Sequence, residues 1–219
     1  EPDLLWRREL GKGAAGVAVA DNRVVAVGNR AGSDTVYCLS VDDGSEQWVM
    51  SYKCPEGKRM FEGGPAATPT IDPVNRRVYV LSHQGELRCI DMTNGNELWM
   101  RDYAKDLQGR LPQYGFAGAP LLSGGTLIVQ PGGSSGSVVG LDAATGKKLW
   151  AGGGDNVSYS SPVSFKHDGR EMIASFNAHG LVVLTPPGGE VVARIPWKTS
   201  YKINAATPCY YSGHLFIAS

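Results

Sequence analysis

The stretch Cys38-Leu-Ser-Val-Asp-Asp-Gly44-Ser-Glu-Gln-Trp48 returns as Cys89-Ile-Asp-Met-Thr-Asn-Gly95-Asn-Glu-Leu-Trp99 and again as Gly140-Leu-Asp-Ala-Ala-Thr-Gly146-Lys-Lys-Leu-Trp150. A degenerate fourth copy, Val183-Leu-Thr-Pro-Pro-Gly-Gly189-Glu-Val-Val-Ala193, keeps the glycine and carries Ala193 in place of tryptophan. The glycine precedes the tryptophan by four residues each time, and Trp48, Trp99 and Trp150 are spaced at 51 residues. Trp6 lies 42 residues before Trp48 and reads as the end of a preceding copy. Self-similarity at such a period marks stacked supersecondary units.

Each period has further order. A Pro-containing apolar stretch opens it, as in Ala67-Thr-Pro69-Thr-Ile71, Gly118-Ala-Pro120-Leu-Leu122 and Ser160-Ser-Pro162-Val-Ser164. A turn follows, then a β-rich run such as Arg77-Val-Tyr-Val-Leu81 or Thr126-Leu-Ile-Val-Gln130, then a second turn, a third run and the Gly–Trp segment. Four short strands per period, punctuated by glycine, predict an all-β fold of four-stranded antiparallel propeller blades. Proline cannot donate to a strand ladder, so it belongs on an edge strand. The blades are expected at roughly 11–50, 62–103, 114–152 and 157–197 of a single domain, 1–219, with a partial blade at 204–219 into which residues 4–10 could pair, still short of a third strand and its Trp turn. Trp48, Trp99 and Trp150, with Gly44, Gly95 and Gly146, are expected to dock neighbouring blades, since a buried indole covers about 150–250 Å².

The run from Gly140 to Trp150 resembles the tryptophan-docking motif of the quinoprotein (PQQ-like) β-propellers, Ala-x-Asp-x-x-Thr-Gly-x-x-x-Trp, with Gly140 in place of Ala. The chain is similar throughout to the PQQ-like repeat proteins related to the outer-membrane assembly lipoprotein BamB. The resemblance implies a ring of seven or eight blades, of which this chain would be an N-terminal portion. A small closed ring, or a half-ring that self-associates with a second copy, is the alternative. It also implies a periplasmic or secreted location. The dehydrogenases of the family imply PQQ with Ca²⁺, held beneath adjacent cysteines and by Glu, Asn and Asp. Cys38, Cys54, Cys89 and Cys209 are not adjacent, and no such acidic cluster is recognised, so the sequence itself supports no cofactor and no catalytic residue.

Composition narrows the class further. Lys plus Arg equals Asp plus Glu at 21 each, which gives no basic footprint for nucleic acid. No apolar run reaches the length of a membrane helix. There is no CxxC pair for zinc or redox chemistry, and three of the cysteines sit in apolar, strand-like runs as small core residues. No Walker loop, Gly-x-Ser-x-Gly elbow or His-Glu-x-x-His occurs.

The chemistry-bearing residues gather in long connections, which are more often functional than decorative. Residues 49–66 hold Tyr52, Lys58, Arg59 and Phe61, and residues 100–116 hold Arg101, Tyr103, Arg110, Tyr114 and Phe116. The hairpins between second and third strands add Asn29, His83, Asn177 and His179. Arg59, Arg110, Tyr114, His83, Asn177 and His179 are therefore the candidates for binding a protein or peptide partner on the rim, because Arg offers bidentate bonds and stacking. His83 and His179 occupy matching hairpin places two blades apart, and no metal site is assigned to them. The expected function is a non-catalytic binding scaffold of the bacterial envelope, with a PQQ-dependent alcohol or sugar dehydrogenase as the alternative.

Overall fold

The computed structural model describes residues 3–58, 63–133 and 136–219. Four sheets of four antiparallel strands follow one another along the chain. The first contains β1 (Ala18–Ala20), β2 (Arg23–Arg30), β3 (Ser33–Ser40) and β4 (Glu46–Lys53). The second contains β5 (Thr70–Asp72), β6 (Arg77–Leu81), β7 (Glu86–Asp91) and β8 (Glu97–Asp102). The third contains β9 (Leu121–Ser123), β10 (Thr126–Val129), β11 (Val138–Asp142) and β12 (Lys148–Gly152). The fourth contains β13 (Val163–His167), β14 (Arg170–Asn177), β15 (Gly180–Thr185) and β16 (Glu190–Pro196). A two-stranded sheet, β17 (Cys209–Tyr211) and β18 (His214–Phe216), comes last. The chain is all-β in its sheets, and each sheet is an up-and-down meander in sequence order.

The burial of the strands explains this arrangement. The middle strands read as near-continuous apolar runs, buried on both faces: Val24 to Val27, Val78 to Leu81, Leu127 to Val129 and Leu181 to Leu184. A strand buried on both sides needs a sheet packed against each face. The cores accordingly lie between blades. Val25, Val36 and Cys38 of the first pack with Val78, Val80 and Ile90 of the second. Tyr79, Leu87 and Cys89 pack with Leu127, Val139 and Leu141 of the third, and Ile128 and Val138 with Ile173, Val182 and Leu184 of the fourth. The outermost strand of each blade, by contrast, carries exposed residues such as Val49, Leu98, Leu149 and Val192.

The repeat is also visible in register. In every blade the ladder between third and fourth strands slips at the same place: after Cys38, Cys89, Gly140 and Val183, which face Trp48, Trp99, Trp150 and Ala193. Such a bulge bends the outer strand and re-aims its side chains.

The long connections are more structured than the sequence suggests. Residues 49–53 extend β4, and 100–102 extend β8. A short helix, α1 (Tyr103–Leu107), follows β8 directly, capped by the Asp102 carboxylate, which accepts from the backbone of Ala104 and Lys105. Tyr103 is buried and meets Phe116 edge-on, with ring centroids 5.0 Å apart. This pair closes the connection into a compact loop. Residues 4–10 belong to no named strand; Trp6 instead packs against the first blade, its Nε1 donating to Val41 O at 2.8 Å.

A candidate binding rim

The connection after α1 forms the centre of the candidate site. Gln108 ends the helix in the left-handed region, and Gly109 and Arg110 then hydrogen-bond back to Tyr103 O and Pro131 O. Those bonds hold the backbone and leave Arg110 and Tyr114 exposed. The Tyr114 ring lies 5.9 Å from that of Tyr159 in the third-to-fourth connection, and Tyr114 N donates to Tyr159 Oη at 3.3 Å. Burial raises the Tyr159 phenol above its ordinary range, so it stays protonated and able to donate in turn.

Two clefts flank this aromatic pair. One, of about 200 Å³, is lined by Arg110, Pro112, Tyr114, Tyr159, Tyr201 and Lys202. The other, of about 360 Å³, runs between Glu56, Lys58, His83, Gln84 and the same Pro112–Tyr114 segment. Tyr201 is 90% exposed and sits with Lys202 in the left-handed region, which non-glycine residues seldom adopt. A third depression beside Arg110 reaches Asp155 and His179. His179 Nδ1 lies 2.5 Å from Asp155 Oδ1, and His179 N donates to Asp155 Oδ2, so the imidazole is held at the rim.

The six sequence-derived candidates therefore fall into different places. Arg110, Tyr114 and His179 face the clefts. His83 reaches the second cleft but is only 5% exposed. Asn177 is fully buried and lines none of these clefts, although the next residues, Ala178 and His179, do. Its Oδ1 accepts from Ser175, its Nδ2 donates to Ser137, and its carbonyl accepts from Asn204. A polar side chain at the end of an inner strand is held inside by these bonds, which is the ordinary fate of a buried amide. Arg59 lies outside the described residues. Arg101 and Tyr103, which share a connection with Arg110, also turn inward: Arg101 Nε donates to Gly146 O at 2.8 Å, and Tyr103 joins the core.

A second group of residues lies beneath the rim, and the sequence reading did not single out two of its members. Asp34 in β3, Cys54 just after β4 and His83 beyond β6 bring a carboxylate oxygen, a sulfur and a ring nitrogen within 4.8 Å of one another. All three are buried. Asn29 Nδ2 donates to Asp34 Oδ1 at 2.7 Å and to Cys54 O at 2.8 Å, while Cys54 Sγ lies 3.5 Å from His83 Nδ1. Burial, aided by the Asp34 charge, pushes the Cys54 thiol up to about 12, and burial pulls His83 down. The thiol is thus protonated and a poor nucleophile. Asp34 stands between Ser33 and Thr35 at the polar start of β3, so its burial left no signal in the sequence.

The tryptophans mark the junctions between blades. Trp48 lies over Gly95, where an added Cβ would come within 2.8 Å of the indole, and its Nε1 donates to Met92 O at 2.8 Å. Trp99 lies over Gly146 in the same way and donates to Ala143 O at 3.3 Å. Trp6 over Gly44 repeats the geometry. Trp150 covers Gly189, but its buried Nε1 has no partner among the described residues, and a Cβ on Gly140 would run into its ring.

The described residues do not fit a quinone-and-calcium site. The cysteines stand apart and free. The donor set found offers one sulfur and one nitrogen beside a carboxylate, whereas Ca²⁺ takes about six to eight oxygens. No helix among the described residues is long and apolar enough to cross a membrane.

Comparison with known proteins supplies the family. The model described as outer membrane protein assembly factor BamB matches residues 59–218. The outer membrane protein assembly factor BamB of Xanthomonas campestris pv. campestris is 30% identical over 130 residues, covering 58% of this chain and 28% of that protein. The quinohemoprotein alcohol dehydrogenase ADH-IIG of Pseudomonas putida is 31% identical over 126 residues, covering 52% of this chain and 16% of the enzyme. The chain thus spans well under two thirds of these curated relatives. The crystal structure of BamB from Moraxella catarrhalis superposes with a TM-score of 0.55 at 17% identity, covering 97% of this chain and 71% of that one, a likeness of fold. With the repeated blades, the shared register slip and the family match over most of its length, the chain belongs to the PQQ-like β-propeller family described as outer membrane protein assembly factor BamB.

Proposed function

We propose that the chain is a binding propeller of the bacterial envelope that takes a protein or peptide partner on the rim around Arg110 and Tyr114. The observation that carries this reading is the connection after α1: its backbone is pinned, its Arg and Tyr are exposed, and a cleft lies on each side. Exposed Tyr and Arg beside clefts are the residue types that dominate binding energy at protein interfaces. Arg110 would grip a carboxylate or carbonyl, and the Tyr114–Tyr159 pair would offer a flat apolar surface. The name of the Xanthomonas relative points to a partner among proteins of outer-membrane assembly, and the family resemblance supports a periplasmic or secreted location. In this reading the Trp–Gly contacts between blades are structural staples that keep the rim loops in register.

The test is capture of outer-membrane assembly proteins from an envelope extract by the intact chain and by an Arg110→Ala, Tyr114→Ala double variant. Capture by the first and its loss in the second is the expected result; equal capture would overturn the reading. The dehydrogenase alternative rests on the family resemblance and on the Pseudomonas relative. Titration of the chain with PQQ and Ca²⁺ checks it, and saturable binding would displace the scaffold reading.

A further inference from the structure

We propose that Asp34, Cys54 and His83 form a zinc site that clasps the first blade to the second beneath the rim. The argument begins with charge. Asp34 is completely buried and belongs to no ion pair among the described residues. Its Oδ1 is held by Asn29, but among the described residues Oδ2 has no hydrogen-bond partner, and neither has the nearby buried Oδ1 of Asn29. An uncompensated carboxylate in a protein interior is costly, and buried charges are ordinarily paired or bound to metal. Beside it stand the buried Tyr52 phenol, across the β3–β4 ladder, and a thiol and an imidazole, the two other ligand types that zinc prefers. A divalent ion with ionised Asp34, ionised Cys54 and neutral His83 makes a site of zero net charge.

The geometry agrees. Zinc bonds of about 2.0–2.3 Å at tetrahedral angles put ligand atoms about 3.3–3.8 Å apart. The Cys54–His83 separation of 3.5 Å already lies in that range. The widest separation, within 4.8 Å, closes by a movement of about 1 Å, which a side-chain rotation supplies. His83 faces Cys54 through Nδ1 and also lines the cleft shared with Glu56 and Gln84, which gives an entry path and room for a water as fourth ligand. Asn29, bonded to both Asp34 and the Cys54 carbonyl, is the outer partner that orients the ligands. On binding, one Zn–S bond forms, the Cys54 S–H bond breaks, and its proton leaves to solvent. The mixed S, N, O donor set suits zinc rather than Ca²⁺ or Mg²⁺, which want oxygen alone.

The experiment uses the whole chain with Cys209→Ser, which removes the one exposed thiol. Co²⁺ is titrated in as the spectroscopic stand-in, then Zn²⁺ in competition. The expected result is one Co²⁺ per chain, a cobalt–thiolate charge-transfer band with tetrahedral visible bands, and their loss when Zn²⁺ is added. Cys54→Ser removes the charge-transfer band. His83→Gln and Asp34→Asn each weaken Zn²⁺ by roughly 100-fold or more, and Asn29→Leu by about 10–100-fold, the range for outer partners. Folded protein that takes up neither ion in excess overturns the proposal, as does a cobalt spectrum without the thiolate band or one unchanged in Cys54→Ser. If the buried substitutions prevent folding, the spectrum of the Cys209→Ser chain decides alone. The proposal stands apart from the rim reading, since partner capture and metal uptake are measured separately.

Discussion

The junctions at Trp48 and Trp150 are built from the same motif and end differently. At the first, the indole lies over Gly95 and its Nε1 reaches the Met92 carbonyl. At the second, the indole still covers the corresponding Gly189, but the turn reads Thr185-Pro186-Pro187-Gly188 and the buried Nε1 finds no acceptor. Gly140, standing where the other copies have Cys38 and Cys89, leaves room for the ring to lean across its own sheet. The contact between tryptophan and glycine therefore survives loss of the hydrogen bond. The steric half of the motif sets the junction, and the polar half adds to it.

Variants of these junctions test that ordering. Trp48→Ala should cost most, about 3–5 kcal/mol, the ordinary penalty for deleting a large core aromatic, read from urea denaturation. Gly95→Ala should cost about 2–3 kcal/mol, because it combines overpacking against the indole with a left-handed φ of +79°. Gly169→Ala is its control: φ is +77° but nothing lies within 4 Å, so only the backbone cost of about 1 kcal/mol remains. Equal losses at Gly95 and Gly169 would mean that the indole contact is slack. Trp48→Phe should cost about 1 kcal/mol more than Trp150→Phe, since only the first breaks a hydrogen bond, although the Met92 carbonyl keeps its bond from Arg23. Smallest of all, the Arg110→Ala, Tyr114→Ala double variant should change stability by less than about 0.5 kcal/mol, as exposed positions usually do.

The same contrast explains what was legible in the sequence. The blades could be read because their signals are local: a glycine turn, a tryptophan four residues on, and apolar runs a few residues long. The propeller class, its repeat and the BamB-like family all followed from that. The groups beneath the rim were hidden because Asp34, Cys54 and His83 are separated by 20 and 29 residues and meet only through the packing of two blades. Asn177 and Arg101 illustrate the converse. Both sit in connections that look exposed in the sequence, yet one is spent on Ser137, Ser175 and Asn204 and the other clamps the Gly146 turn. Residue type and loop position cannot distinguish an arginine that faces a cleft from one that ties down a neighbouring blade. Helix α1 was missed for a related reason. Five residues carry too little periodicity to show, and the helix stands on an Asp102 cap and the burial of Tyr103 and Leu107.

The central claim is that one end of the blades binds while the Trp–Gly junctions only hold. Hydrogen–deuterium exchange of the chain, with and without captured outer-membrane assembly proteins, tests it most directly. Slowed exchange at 108–114, 156–159 and 199–203, with no change at the turns 41–48 and 92–99, is the predicted result. Protection centred on those turns, with the Arg110–Tyr114 connection unchanged, would contradict it.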